Sequence, residues 1–207
     1  MKNKLYALTA IVTAFALAAC GGAQRPGELD PEGIGPVRLG MQIGEVPPQA
    51  EGWYDAIEVE HTDESFDDLE YETIPAFDTY LFQLNGETMF RTSLRGGATT
   101  IDYLAAVSPR IGYKGIHPGM TVADALAAGA RCHAMGEFGG YGGYFSAYLA
   151  IDDTGVSFLF DYLNGHGFTQ RFGQKLAERG LIENEILDVT GDDFEPDAVI
   201  ESISINR

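Results

Sequence analysis

The chain has 207 residues, 31 acids against 13 lysines and arginines, a formal charge of −18, 26 glycines and two cysteines. Its length can bury a real core in one domain or two small ones, and 45% hydrophobic residues exclude a disordered acidic tail. The charge excludes general nucleic-acid binding, which needs a basic face, and two cysteines are too few for a disulfide scaffold or a structural zinc cluster.

Lys2 and Lys4 precede an uncharged apolar run, Leu5 to Ala19. That run is about 15 residues, short of the roughly 20 that a permanent membrane helix needs. It ends in Leu17-Ala18-Ala19-Cys20, which resembles a bacterial lipobox. The resemblance implies cleavage before Cys20, a diacylglyceryl group on its thiol and acylation of the new amino group. Gly21, where an aspartate would signal inner-membrane retention, implies a lipid anchor on the periplasmic face of the outer membrane. Residues 1–19 are thus expected to be a cleaved signal peptide, whose loss leaves 11 bases against 31 acids, a charge of −20. Residues 20–32, rich in glycine, proline and charge, read as a lipidated tether. Residues 33–207 are expected to be the periplasmic domain.

The stretch from Gly33 to Glu45 recurs in outline from Gly112 to Asp124, at an offset of 79 residues. Gly33/Gly112, Gly40/Gly119 and Met41/Met120 match identically, and Val37/Ile116, Ile43/Val122 and Glu45/Asp124 match in kind. In the second copy Thr121-Val122-Ala123-Asp124 has the form of a capping box before an alanine-rich helix, with Gly129 suited to its end. The first copy is poorer, since Gln42 caps weakly and Pro47-Pro48 interrupt any helix. Strands follow each copy. Thr79–Leu84, Asn85-Gly86 and Glu87–Leu94 form a hairpin signal with a primed turn. Ala147–Ile151, Asp152–Gly155 and Val156–Tyr162 have the same strand-turn-strand form. Thr99–Val107 and Ala198–Ile205 complete the halves as strands, and Phe168, Phe172 and Leu176 at four-residue spacing predict a helix near Phe168–Arg179. The expected fold is α+β, a mostly antiparallel sheet with few short helices. Two tandem βαβββ-like units, residues 33–110 and 111–207, describe it, the alternative being one mixed sheet in which the matching glycines are coincidental.

Chemistry-bearing motifs are sparse. Asp153-Thr154-Gly155 carries the string of aspartic proteases, but those need two facing aspartates, and here the string falls on a turn. Cys132 and His133 are adjacent, so they project differently and form no nucleophile–base pair; a buried thiol beside a surface histidine is the expectation. His61, His117 and His166 show no paired metal-ligand spacing. Two acidic stretches, Asp63 to Glu70 and Asp188 to Glu195, lack the calcium-loop pattern and read as solvated faces. Gly136 to Phe145, rich in glycine and aromatics, offers close backbone approach and stacking faces, so Tyr141 and Tyr144 are the candidate partner contacts. No catalytic residue, cofactor or metal ligand is assigned, because no nucleophile, base and orienter can be named together.

With the lipobox, the GIGPVRLGM and GIHPGMTVADAL segments and the terminal AVIESISIN strand, the chain resembles the RpoE-regulated lipoprotein family, a bacterial domain of unknown function. Members tend to carry a cysteine pair in the second half; Cys132 matches the first and nothing matches the second. Weaker likenesses to envelope modules of outer-membrane assembly lipoproteins and to tandem-repeat β-lactamase inhibitor proteins concern fold alone. The expectation is a non-enzymatic outer-membrane lipoprotein that serves as a binding or envelope-support module. Its partners are the membrane, through Cys20, and an envelope protein that is basic or held by salt-sensitive contacts. The alternative is an inhibitor or sensor of an envelope enzyme.

Overall fold

The computed structural model describes residues 27–67, 72–138, 145–162 and 167–206. The first half runs β1 (Gly27–Glu28), β2 (Gly33–Ile34), β3 (Val37–Arg38), a 3₁₀ turn (Ile43–Glu45) and β4 (Ala56–Thr62). A short hairpin, β5 (Ser65–Asp67) with β6 (Glu72–Ile74), then leads into β7 (Phe77–Leu84), β8 (Glu87–Arg95) and β9 (Tyr103–Ala106). The second half runs β10 (Ile111–Gly112), α1 (Val122–Ala127), β11 (Arg131–Glu137), β12 (Phe145–Ala150) and β13 (Val156–Phe160). It closes with α2 (Gln170–Arg179), β14 (Leu181–Leu187), a 3₁₀ turn (Gly191–Asp193) and β15 (Ile200–Asn206).

Nine strands form one antiparallel sheet in the order β14-β11-β12-β13-β15-β9-β8-β7-β4. Local chemistry sets its hairpins: Asn85 and Gly86 both take positive φ, 55° and 79°, as the β7–β8 turn requires. The expected α+β fold with a mostly antiparallel sheet is what the chain adopts.

Each half contributes a four-strand run, β4-β7-β8-β9 and β11-β12-β13-β15, and the two runs meet at the β9–β15 pair. That register is its own image under exchange of halves: Leu104 faces Ile205 while Ile203 faces Ala106. The segments before each run follow one hydrogen-bond plan. Gly40 N–H donates to Ile101 O at 2.6 Å and Gly119 N–H to Ile200 O at 2.7 Å. Ile101 N–H reaches Met41 O at 2.9 Å, as Ile200 N–H reaches Met120 O at 2.8 Å. Ile43 N–H to Thr99 O and Val122 N–H to Ala198 O, at 2.8 and 2.9 Å, complete the correspondence. Gly40 and Gly119 have φ of 87° and 84°, a conformation that favours glycine, so these two matches have a backbone cause.

One face of the sheet is covered. Phe82, Phe90, Leu104, Ile203, Phe158, Leu149 and Cys132 from successive strands are fully buried there. In the first half they meet Ile34, Val37 and Tyr54, and in the second Val122, Phe172 and Leu176. Thr121 caps α1 by accepting from Asp124 N–H at 3.1 Å, and Thr169 caps α2 by accepting from Phe172 N–H at 3.3 Å. The first copy has only its 3₁₀ turn, and Pro47-Pro48 follow it.

The tether expected over residues 20–32 gives way to folded chain at Gly27. The strand β1 pairs in parallel with β10, Leu29 is buried, and Asp30 pairs with Arg38. Two positions leave no room for a side chain beside the chain crossing them: a methyl on Gly27 or Gly35 would run into the Trp53 indole. From Gly27 to Glu32, proline, glycine and charge report a short strand and turns rather than freedom.

Candidate binding face

Strand alternation sends every second side chain to the sheet's other face, which no helix covers among the described residues. On β7 these are Phe77, Thr79 and Leu81; on β8, Arg91, Ser93 and Arg95; on β9, Tyr103 and Ala105. The row continues with Ser202 and Ser204 on β15, Tyr148 on β12, and Arg131, His133 and Met135 on β11. Ala105, Ser204, Ser202 and Thr79, short side chains that point this way, are buried.

A groove of about 760 Å³ opens on the first half of this face. Phe77, Thr79, Ser93 and Tyr103 line it together with Arg91, Arg95 and Asp102. Thr79 Oγ1 and Ser93 Oγ share a hydrogen bond of 3.0 Å across β7 and β8. Thr92, on the covered face, donates to Tyr103 O at 2.6 Å and so holds β9 against β8 beneath the groove. Burial raises the Tyr103 hydroxyl above its ordinary pKa, with the nearby Arg91 charge acting the other way. The hydroxyl therefore stays protonated and available as a donor.

Four of the nine lysines and arginines among the described residues are neutralised in ion pairs, whereas Arg91, Arg95, Arg131, Arg171 and Lys175 are not. Arg38, Arg110, Lys114 and Arg179 each pair with a carboxylate. Among the described residues Arg91 and Arg95 have no ion pair or side-chain hydrogen bond, and they are the only ionised side chains that β7, β8 and β9 direct to the open face. The nearest open-face acids on a neighbouring strand are Glu58 and Glu60 of edge strand β4, and Glu58 accepts from Gln83 Nε2 at 2.7 Å.

On the second half the open face is less polar. His133 stacks on Tyr148 with ring centroids 5.2 Å apart and planes 8° apart, and Met135 and Ile186 are exposed nearby. Partial burial lowers the His133 pKa below its ordinary value, with the Arg131 charge in support, so the ring is neutral at pH 7. Cys132, next in the chain, points into the core, fully buried, with burial pushing its thiol up to about 12. The reading of a buried thiol beside a surface histidine describes this pair.

The other motifs are dispersed. Asp153-Thr154-Gly155 lies in the β12–β13 turn, where Asp152, not Asp153, is the engaged carboxylate, held by Lys114, Thr154 and Tyr113. His61 stands between Asp78 and Asp63, at 2.7 and 3.3 Å. Among the described residues no three His, Cys, Asp or Glu side chains converge as metal ligands, and no helix is long and apolar enough to cross a membrane. Cys20, Tyr141 and Tyr144 lie outside the described residues, as do His166 and part of the first acidic stretch. Beside the Tyr141/Tyr144 segment, Phe138 and Phe145 pack edge to face with centroids 5.0 Å apart.

Sequence reasoning passed over Arg91, Arg95 and Tyr103. The signal was present in Arg91-Thr92-Ser93-Leu94-Arg95, whose two arginines lie on one face of a recognised hairpin strand while the residues between alternate. Comparison with protein-family models, with curated proteins and with solved structures returns no match. What defines the class is therefore the architecture, a two-part antiparallel sheet with one covered and one open face.

Proposed function

We propose that the protein is a non-enzymatic binding module, tethered through lipidated Cys20 to the periplasmic face of the outer membrane, and that the open sheet face is its contact surface. The observation that carries the reading is the asymmetry of the sheet. The core lies on one side, while the other holds a groove, unpaired arginines, half-buried aromatic rings and the exposed Met135 and Ile186. A β-sheet face without a covering layer presents a broad, rigid surface whose backbone is already satisfied, so a partner binds without ordering it. The sheet edges suit this task less well. Edge strand β4 carries Glu58, Glu60 and His61, and β14 carries Glu183 and Glu185, charges that discourage addition of a further strand.

The test is site-specific photocrosslinking in cells of the source bacterium. A photoreactive residue at Ser93 or Ser204 should give discrete crosslinks, and one at Glu178 on α2 should not. Equal crosslinking from both faces overturns the reading. A Cys20→Ser variant should lose the membrane fraction; if it remains membrane-bound, the anchor is wrong. A crosslinked product that proves to be an envelope enzyme, inhibited on binding, would replace the support role by the inhibitor or sensor role.

A further inference from the structure

We infer that the groove on the first half of the open face takes an extended acidic segment of a partner protein, with two carboxylates held by Arg91 and Arg95. The inference rests on the open face being the contact surface and adds the chemistry of what it contacts. Overall charge argues for a basic partner, yet the strands that floor this groove reverse that charge locally. Two arginines, neither in an ion pair, line this groove against the carboxylate of Asp102.

Their spacing selects the ligand. Arg91 and Arg95 are four residues apart on one face of β8, which places their origins roughly 13 Å apart at about 3.4 Å per residue. An extended peptide with acidic residues at positions i and i+4 repeats that spacing, so each guanidinium meets its own carboxylate without the two like charges converging. Between the arginines the floor is hydroxylic, with Ser93 and Thr79, and the Tyr103 ring offers a flat wall with a protonated hydroxyl. Phe77 adds an apolar wall. Guanidinium groups bind carboxylates through two parallel hydrogen bonds, which gives orientation as well as attraction. Asp102 in the lining and Glu58 and Glu60 on β4 penalise a ligand that carries additional acids beyond the two positions.

An array of synthetic nine-residue peptides tests this. Two glutamates are placed from one to eight positions apart on a serine, threonine and tyrosine background, and the purified full chain is bound at low salt. Binding should peak at a separation of four and fall at least tenfold when both glutamates become glutamine. Arg91→Gln and Arg95→Gln should each weaken the best peptide at least tenfold, while Arg171→Gln, on α2, should leave it unchanged. Both groove arginines are exposed, so neither variant threatens folding. Absence of spacing preference, or unchanged binding by Arg91→Gln and Arg95→Gln, overturns the inference. Inorganic phosphate that displaces the peptide well below the chloride concentration of equal ionic strength would make this a phosphate site and overturn it also. From Ser93, an intramolecular crosslink to residues 63–72 would name the chain's own acidic segment as the occupant and overturn it equally. A blank array alongside discrete crosslinks from Ser93 defeats this inference alone. A blank array without crosslinks defeats the binding-face reading as well.

Discussion

The two halves share one backbone plan and cover it differently. In the first, a single 3₁₀ turn and the Pro47–Tyr54 loop lie over the sheet. Tyr54 meets Phe82 and Phe90 at centroid distances of 5.1 and 5.8 Å, and its hydroxyl donates to Pro47 O at 2.8 Å. In the second, α1 and α2 do the covering, and Phe168 touches the rings of Phe138, Phe145, Phe160, Phe172 and Phe194. Backbone turns match between the halves because few residue types can make them, whereas a core needs only the right volume of apolar side chain. The open faces also differ, hydroxyls and arginines on one half against His133, Tyr148, Met135 and Ile186 on the other.

The largest expected effect breaks the second cover. Phe168→Ala removes the ring that joins five others and should cost about 3–5 kcal/mol by urea denaturation. A loss under about 1 kcal/mol would mean that the ring cluster is not what holds α2 to the sheet. Next come the matched glycines. A methyl on Gly33 would collide with the Val37 carbonyl, and one on Gly112 would lie 2.9 Å from the Ile116 carbonyl. Each alanine variant should destabilise by about 1–3 kcal/mol, Gly33→Ala more, since its neighbours stand closer. If either variant is neutral, the two turns are not equivalent.

Capping gives a smaller contrast. Thr121→Ala removes the α1 cap and should cost about 1 kcal/mol. Gln42→Ala acts differently, because Gln42 tethers the strand-like segment before β9, donating to Thr100 Oγ1 and accepting from Thr99 Oγ1, both at 2.7 Å. Its loss should loosen amide exchange at Thr99 and Thr100, whereas Thr121→Ala should loosen exchange within α1. The same pattern in both variants would erase the distinction.

The smallest effects are in pH. The hydrogen bond with Asp78 raises the His61 pKa, supported by the Asp78 and Asp63 charges. Its folded value therefore lies above the unfolded 6.5, and its contribution is full below pH 6.5 and disappears as pH rises through the folded value. In the second half, bonds from Lys114 and Thr154 lower Asp152 to about 2. That contribution is present above the unfolded 3.8 and is lost as pH falls through 2. NMR titration should show His61 titrating above 6.5 and returning toward it in Asp78→Asn, while the Asp152 carboxyl stays ionised at pH 3. A His61 value at or below 6.5 would remove the first-half clip from the comparison.

Much of this fold was legible. Asn85-Gly86 announced the β7–β8 hairpin, Thr121 and Asp124 announced α1, and the spacing of Phe168, Phe172 and Leu176 announced α2. Strand β4 was missed although Ile57 and Val59 alternate with Glu58 and Glu60, and β14 was missed because Leu181–Leu187 mixes acids into an irregular apolar pattern. Both are edge strands with few buried side chains, none on β4 and only Ile182 and Leu187 on β14, so the hydrophobic signal fades. The groove was harder to see, since it joins residues of three strands that only pairing brings together.

The sequence by itself determined the β7–β8 and β12–β13 hairpins, the caps and the paired glycine turns, because those depend on neighbours within a few residues and on backbone conformations that few side chains tolerate. Only the tertiary structure decided that β9 pairs with β15, that one face of the sheet is buried and the other left open, and that a chain of charge −18 holds two unpaired arginines in a groove. Overall charge is a sum over the chain, while recognition depends on which few charges a fold gathers on one face.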